Sequence, residues 1–335
     1  MIMRKLSFLF LVVCLVSIGV FTAHGSVNPK FLADSSELYT YAEMEKDLLQ
    51  LKNSYAEVPI TVESLTRTFD GRQVYHVVVG ESGASKNILI SGAIHGREYI
   101  TAQLVMRQIL DLCNRYSEYM QMNDSVAFHF VPMINPDGVT ISQMQLDGIN
   151  HRLTRQTIYQ VYQNDSAVEL DSYLIQWKAN ARGVDLNRNF DALWDEYTSG
   201  PQKASTDCYK GTAPHCEPES RALVDLTEKM DFDATISYHT QGEVIYWYFG
   251  QEGTLLDKSE KLANLASQCT GYPTYANYKS LDPAGYKDWA IQKKGIPSLT
   301  IEVGHGSNPV PHDQMESIWK QNKNLIAMLL QEFTL

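Results

Sequence analysis

The residues of this sequence that could take part in metal chemistry fall at the ends of apolar runs. His95 and Glu98 follow directly on one such run, His239 follows another, and Glu302 lies near the end of a third. In open α/β sheets, ligands bind beyond the carboxyl ends of the strands. A catalytic zinc ion needs about three protein ligands drawn from imidazole and carboxylate, together with a position left open for water. The sequence therefore predicts a zinc site made of His95, Glu98 and His239, with Glu302 as a further acid beside it.

Each of these signals is weak when it stands alone. A His-x-x-Glu pattern arises often by chance, and a histidine at the end of a strand, such as His239, is by default a hydrogen-bonded core residue. All of these residues fall at one predicted edge of the sheet, and this favours a metal site. His95-Gly96-Arg97-Glu98 places two ligand types close together, and Gly96 allows the backbone to turn sharply between them. Because zinc activates water and a nearby carboxylate transfers the proton, hydrolysis is the expected chemistry.

The elements that must position these residues alternate between strands and helices. Apolar and alternating runs predict strands at 61–68, 74–80, 87–94, 126–134, 234–238 and 298–303. Helical periodicity predicts one helix directly after Glu98 and others at 36–54, 217–229, 254–269 and 313–333. This alternation is typical of an α/β sandwich around a mixed, largely parallel sheet. Two weakly periodic stretches are predicted to form the walls of a cleft, at 145–182 and 195–215.

Residues 1–25 are predicted to be a signal peptide. Two basic residues precede an uncharged, mostly apolar run at 6–20, and small residues allow cleavage after Gly25. An uncleaved membrane anchor is the alternative, since about 18 apolar residues can span a bilayer. We therefore expect a secreted protein with a short tail at 26–35, one catalytic domain at 36–335, and no membrane association after cleavage.

Composition argues against some partners, and the cysteines leave several pairings open. The formal net charge is −11, so the chain offers no basic surface for nucleic acid or for anionic lipid. Four cysteines lie outside the predicted signal peptide, and export would allow them to form disulfides. Cys208 and Cys216 flank a short polar loop and are predicted to bond to each other. Cys113 and Cys269 are equally compatible with a bridge and with two buried thiols.

Five ordered motifs resemble those of the zinc carboxypeptidases. They are His95–Glu98, Asn135–Gly138, Gly183–Phe190, Ser237–His239 and Thr300–Glu302. The resemblance covers nearly all of residues 36–335. It implies an α/β/α sandwich around a mainly eight-stranded mixed sheet, with one catalytic Zn²⁺ on the ligands predicted above. It also implies that Glu302 is the catalytic glutamate.

The resemblance assigns further residues to ligand orientation and substrate binding. Asp185 matches a carboxylate that orients a histidine ligand. Asn187 and Arg188 match the pair that binds the terminal carboxylate of the substrate, a task for which the planar guanidinium is suited. Tyr278 matches a tyrosine that caps the substrate.

One arginine is expected to stabilise the oxyanion of the tetrahedral intermediate. Arg155, in the run His151-Arg152-Leu153-Thr154-Arg155, fits this role in the resemblance. Arg152 and Arg182 are rivals for it.

Three segments resemble a bacterial branch of the family, at 177–188, 239–243 and 285–289. That branch includes peptidases that cut the γ-D-glutamyl to meso-diaminopimelate bond of cell-wall peptides. Lys287 falls where the family forms the pocket for the side chain beyond the scissile bond, although it could instead point to solvent. We expect a monomeric zinc peptidase acting on a peptide or muropeptide. The alternatives are an ordinary carboxypeptidase and a non-catalytic module that binds peptide termini.

Overall fold

The computed structural model describes residues 30–165 and 168–333 of the chain. The predicted signal peptide at 1–25 and residues 26–29 of the predicted tail lie outside the described residues. Within the part of the chain that is described, no helix is both long and apolar enough to cross a membrane.

The described end of the tail is packed against the domain. Phe31 and Ala33 are buried. The Asp47 carboxylate accepts hydrogen bonds from the backbone N–H groups of Leu32 and Ala33, at 2.9 and 2.8 Å. The described residues from Phe31 onward therefore belong to one compact unit, which includes the described end of the predicted tail.

One mixed sheet with flanking helices makes up the regular structure of the described residues. The strands are β1 (Ile60–Arg67), β2 (Gln73–Val79), β3 (Lys86–Ser91), β4 (Val126–Val131), β5 (Ala234–His239), β6 (Val244–Tyr246), β7 (Thr274–Tyr275) and β8 (Ser298–Glu302). The helices are α1 (Tyr41–Ser54), α2 (Ile100–Asn114), α3 (Tyr116–Met122), α4 (Pro136–Met144), α5 (Arg152–Asp165), α6 (Leu170–Ile175), α7 (Pro218–Lys229), α8 (Gly253–Thr270), α9 (Tyr286–Lys294), α10 (Met315–Asn322) and α11 (Leu325–Glu332). The strand order is β1-β2-β4-β3-β5-β8-β6-β7.

Helices cover both faces of this sheet, which confirms the predicted α/β/α sandwich. Side chains alternate between the two faces along a strand. In β3, Ile88 and Ile90 join the core that includes residues of α2, α8, α10 and α11, whereas Leu89 joins the core that includes residues of α7 and α9. Every residue of β4 and β5 is buried, as expected of strands covered on both sides.

The pairing of the central strands brings the residues that could take part in metal chemistry to one edge of the sheet. β3 pairs with β5 in parallel, and β5 pairs with β8 in parallel, so their carboxyl ends lie side by side. His239 is the last residue of β5, and its register partner in β8 is Glu302. The predicted meeting of His239 and Glu302 therefore follows from strand pairing.

The stretch at 145–182, which we predicted to form a wall of the cleft, is partly helical, and its residue Lys178 lines the cavity described below. It contains α5 and α6. Helix α5 buries only Thr154, Ile158 and Val161, which form one narrow stripe at helical spacing. The stripe was missed because the remaining positions of the helix are polar or exposed.

The predicted Cys208–Cys216 disulfide is wrong, since both thiols are free. They lie in different polar environments. The Cys208 thiol donates to the Asp207 carboxylate at 2.7 Å, whereas the Cys216 sulfur lies 3.2 Å from the side-chain amide of Asn189. The same Asn189 amide also donates to two backbone carbonyls of the loop between the cysteines. Hydrogen bonds to Asn189 thus hold the loop in place of a disulfide.

Glu219 is a buried carboxyl in the first turn of α7. Burial raises the pKa of Glu219 to about 8, and the carboxylates of Asp137 and Glu217 act in the same direction. The folded protein therefore keeps Glu219 neutral at pH values at which the unfolded chain ionises it. As a result, the free energy of unfolding falls as the pH rises from about 5 to about 8. We expect Glu219→Gln to remove this part of the pH dependence, which amounts to roughly 2–4 kcal/mol.

Urea denaturation at about pH 5 and about pH 8 measures this effect. The matched control is Glu228→Gln, at an exposed position of the same helix, which is expected to keep the wild-type pH dependence. If the free energy of unfolding falls by the same amount between about pH 5 and about pH 8 in wild type and in Glu219→Gln, Glu219 is not neutral in the folded protein.

Candidate active site

The segment that follows β3 and carries the first two predicted ligands packs tightly against the first turn of α4 and against the segment that follows α6. A Cβ atom on Gly96 would lie 2.4 Å from the Gly138 carbonyl oxygen and 2.7 Å from the Trp177 carbonyl oxygen. The Gly96 N–H donates to the Lys178 carbonyl at 3.0 Å. Gly96 is therefore required by close backbone packing, and not by the sharp turn that we predicted.

His95, Glu98 and His239 meet at the sheet edge, and all three are buried. Glu98 lies between the two imidazoles. Its Oε1 is 2.9 Å from His95 Nδ1, and its Oε2 is 3.1 Å from His239 Nδ1. One potential ligand atom from each residue lies within 4.8 Å of the others. Two imidazoles and one carboxylate that converge in this way fit the donor set of a catalytic zinc ion.

Asp185 holds His95 from the side opposite Glu98. Its Oδ1 lies 3.1 Å from His95 Nε2. Burial disfavours a charged carboxylate, but the charges of Lys178 and His95 outweigh that effect and hold the pKa of Asp185 well below its usual range. An ionised Asp185 accepts the Nε2 proton of His95 and leaves Nδ1 free to bind a metal. Asp185 therefore lies where the resemblance placed it.

Glu302 presents an available carboxylate oxygen beside the ligands. Its Oε2 is buried and has no hydrogen-bond partner among the described residues. Burial raises the pKa of Glu302 to about 7; Glu98 also raises it, whereas His239 and Lys178 lower it. A buried oxygen without a partner is able to accept a proton from a water or to bind substrate.

A cavity of about 400 Å³ opens from the metal ligands and Glu302. This volume lies within the usual range of small-molecule sites. Four basic residues are among those that line it: Arg97, Lys178, Arg188 and Lys287. A cavity with several cations suits a substrate that carries carboxylates.

The three arginines considered for the oxyanion do not line this cavity. Arg155 is exposed on α5, and its guanidinium donates to the Ile149 carbonyl at 2.9 Å. Arg152 is also exposed. Arg182 lies 3.7 Å from Glu217. The prediction of Arg155 for this role is therefore corrected, because its helix places it at the surface.

Lys178 is a basic residue of the cavity for which the sequence predicted no role. Its Nζ lies 3.4 Å from Asp185 and 3.3 Å from Asp207, and its side chain is mostly buried. Burial opposes its charge, but the nearby carboxylates raise its pKa and keep it protonated. A lysine between the buried residues Trp177 and Ala179 was the available signal.

Asn187 and Arg188, for which the resemblance predicts binding of the terminal carboxylate of the substrate, both line the cavity. The Asn187 side chain accepts from the Tyr286 N–H at 3.0 Å. Arg188 Nη2 lies 2.8 Å from Asp282, and its guanidinium lies over the Tyr197 ring at 5.1 Å. The structure thus brings both residues into the site, with Arg188 already paired to an acid.

Tyr278 is not brought into the cavity. It is 65% exposed and packs on Tyr248 with ring centroids 4.5 Å apart. Its loop neighbours Asn277 and Ser280 line the cavity instead. The capping role that was predicted for Tyr278 finds no contact in this conformation.

Lys287 points into the cavity and not to solvent. Its side chain is only 12% exposed, and its Nζ contacts the Asp288 carboxylate. The same ammonium group lies 3.3 Å from the Tyr248 carbonyl and 5.4 Å from the centre of the Phe249 ring. The solvent-exposed alternative for Lys287 is thereby excluded.

Comparisons with known proteins agree with this geometry. A family model described as zinc carboxypeptidase matches residues 44–325. Gamma-D-glutamyl-L-diamino acid endopeptidase 1 of Lysinibacillus sphaericus is 30% identical over 301 residues, which are 87% of this chain and 72% of that protein. Carboxypeptidase B of Astacus astacus is 27% identical over 290 residues, which are 82% of this chain and 89% of that protein.

A solved structure shows the same fold at low sequence identity. Carboxypeptidase A of Helicoverpa armigera superposes with a TM-score of 0.67 at 17% identity, covering 88% of this chain and 74% of that chain. The fold, the donor set and the matching relatives define a zinc metallopeptidase. The chain belongs to the zinc carboxypeptidase family.

Proposed function

We propose that this chain is a secreted peptidase that hydrolyses the γ-D-glutamyl to meso-diaminopimelate bond of peptidoglycan peptides. The main support for this substrate is Lys287, which is buried and lines the cavity beside the ligands. The side chain of diaminopimelate ends in a carboxylate that can pair with Lys287, and in an ammonium group on the same carbon that suits the neighbouring Asp288. The name of the relative from Lysinibacillus sphaericus supports the same class of bond. Secretion rests on the predicted signal peptide.

The chemistry divides between the metal and the residues around it. When held by His95, Glu98 and His239, zinc supplies Lewis acidity that lowers the pKa of water and polarises a carbonyl. Glu302 takes a proton from the attacking water through its unpartnered Oε2 and returns it to the leaving amine. Asp185 keeps the His95 ring in one tautomer and orientation.

Lys178 is the cation that stabilises the negative charge on the former carbonyl oxygen. It is held by two carboxylates at the ligand end of the cavity, so it stays charged and needs little reorganisation during the reaction. Arg188 binds the carboxylate that follows the scissile bond and thereby positions the substrate.

We expect Lys178→Ala to lower kcat by about 10²- to 10³-fold with a small change in KM, because the interaction forms mainly in the transition state. Lys178→Arg is expected to restore part of the rate. Arg155→Ala is the matched comparison and is expected to keep the wild-type rate, since Arg155 lies outside the cavity. Steady-state kinetics with zinc content measured on each variant checks this, and a large loss in Arg155→Ala with none in Lys178→Ala would contradict the assignment.

The substrate proposal is tested with two peptides that differ only in the residue beyond the scissile bond. L-Ala-γ-D-Glu-meso-diaminopimelate is compared with the same peptide carrying lysine in place of diaminopimelate. Wild type is expected to prefer the first in kcat/KM, and Lys287→Ala to reduce that preference by about 10- to 100-fold, as for a lost charged hydrogen bond. Lys279→Ala, at an exposed position of the nearby loop, is the control. If Lys287→Ala keeps the wild-type preference for diaminopimelate over lysine, Lys287 does not form the pocket for that side chain.

Two alternative functions remain distinguishable from the proposal. An ordinary carboxypeptidase would release common C-terminal amino acids and would not prefer diaminopimelate. A non-catalytic module that binds peptide termini would lack the catalytic acid or a ligand, whereas all four residues lie together here. Zinc-dependent release of any amino acid would exclude the binding module.

A further inference from the structure

The segment 276–283, here named the cavity loop, connects β7 to α9. Four of its residues line the cavity beside the metal ligands: Asn277, Ser280, Leu281 and Asp282. Backbone hydrogen bonds fix both ends of the loop. β7 pairs with β6 directly before it. Directly after it, the Ala284 N–H donates to the Ala192 carbonyl at 2.9 Å, and the Ala284 carbonyl accepts from the Phe190 N–H at 3.1 Å.

Between these fixed ends, the cavity loop has few polar links to the rest of the domain. Among the described residues, no backbone hydrogen bond joins it to another segment. Two side-chain hydrogen bonds lie within the loop, and the one that leaves it is the contact of Asp282 with Arg188, at 2.8 Å. The remaining contacts are apolar and include those of Leu281 and of the Tyr278 ring. One ion pair therefore supplies the polar attachment of the loop.

That ion pair uses the arginine that is proposed to bind the carboxylate of the substrate. Asp282 is the only carboxylate that forms an ion pair with Arg188 among the described residues. The Asp282 side chain is 74% exposed, whereas that of Arg188 is 16% exposed. Arg188 Nε is buried and has no hydrogen-bond partner among these residues. Because an aspartate and a terminal carboxylate bind a guanidinium in the same way, the two compete for Arg188.

We infer that Asp282 is an intramolecular competitor of the substrate, which pairs with Arg188 in the free enzyme and is displaced by the terminal carboxylate. The inference rests on the proposed binding of a carboxylate by Arg188, and not on which amino acid is released. Only molecules with a free Arg188 accept the carboxylate, so the apparent affinity falls in proportion to their fraction. For an exposed ion pair this reduction is about two- to fivefold. Asp282 thus raises KM and leaves the chemical step unchanged.

Limited proteolysis of the zinc-loaded protein tests the attachment of the loop and needs no substrate. Lys279 is exposed in the cavity loop, so the rate of tryptic cleavage after it reports how often the loop opens. Asp282→Asn is expected to raise that rate about two- to fivefold. Arg188→Gln, which leaves the loop sequence intact, should do the same, and the double variant should show no further increase. Cleavage after Lys203, an exposed lysine of another segment, is the internal control. An unchanged rate after Lys279 in Arg188→Gln would overturn the inference.

Steady-state kinetics test the competition itself. The substrate is L-Ala-γ-D-Glu-meso-diaminopimelate. If that peptide is not cleaved, the proposed substrate is wrong, and an ordinary peptide with a free terminal carboxylate takes its place. Asp282→Asn is expected to lower KM about two- to fivefold and to keep kcat within about twofold of wild type. With the same peptide ending in a carboxamide, KM should be equal in the variant and in wild type.

The matched control is Asp257→Asn, which removes one negative charge from an exposed position of α8 and is expected to keep the wild-type KM. A KM in Asp282→Asn that equals or exceeds the wild-type value would overturn the inference. An equal fall in KM for the carboxamide would also overturn it, because the effect would then not depend on a terminal carboxylate.

Discussion

Replacing His239 with alanine is expected to leave the purified protein without zinc and to lower kcat/KM at least about 10⁴-fold. His239 supplies one of the three ligand atoms that converge here among the described residues, and its ring is buried against Glu98. With two ligands left, the site no longer matches the three-ligand arrangement of catalytic zinc. The loss also has a thermodynamic readout, since a metal that binds only the folded state raises its stability. We therefore expect added zinc to raise the Tm of wild type and to leave that of His239→Ala unchanged.

His305→Ala is the matched control for this experiment. His305 lies three positions after Glu302 in sequence, but it is exposed and approaches Glu243 at 3.4 Å. We expect this variant to keep its zinc and its activity. Zinc content near wild type in His239→Ala would contradict the ligand set.

Glu302→Gln is expected to lower kcat by about 10³- to 10⁴-fold while zinc content stays at the wild-type level. The amide keeps the shape of the carboxyl group but cannot accept the proton of the attacking water. Burial raises the pKa of Glu302, so neutralising this side chain is not expected to destabilise the fold. KM is expected to change little, because substrate binding is proposed to depend on Arg188 and Lys287. Glu302→Gln therefore removes proton transfer and keeps metal binding, whereas His239→Ala removes metal binding and activity together.

The control for Glu302→Gln is Glu260→Gln, at an exposed position of α8. It is expected to match wild type in rate, zinc content and Tm. Activity, metal analysis and thermal unfolding are measured on the same preparations. Retention of more than about one-tenth of the wild-type kcat by Glu302→Gln would contradict its role as the general base.

The sheet and the meeting of His95, Glu98 and His239 could be predicted because they depend on local patterns and on one general rule. Strands β3, β5 and β8 are short apolar runs, and parallel strands bring their carboxyl ends to one edge. His95, Glu98 and His239 each follow or end such a run. The residues that could be inferred from sequence are therefore those whose positions follow directly from strand pairing.

The residues that were missed depend on contacts between distant loops. Lys178 enters the site because its backbone carbonyl accepts the Gly96 N–H, a contact for which no periodicity exists. Arg155 has the right residue type, but a narrow apolar stripe places its helix at the surface. Strand β6 has three residues and strand β7 has two, so neither is long enough to show an alternating pattern in the sequence. Tertiary packing, and not a local sequence pattern, determines where these residues and short strands lie.

We propose that a zinc ion on His95, Glu98 and His239 enables hydrolysis of a peptide bond to diaminopimelate. The most direct measurement is release of diaminopimelate from L-Ala-γ-D-Glu-meso-diaminopimelate by purified protein, before zinc chelation, after it, and after zinc is returned. We expect release that stops on chelation and recovers with about one zinc per chain. Release that continues at full rate in protein shown to be free of metal would contradict zinc-dependent hydrolysis.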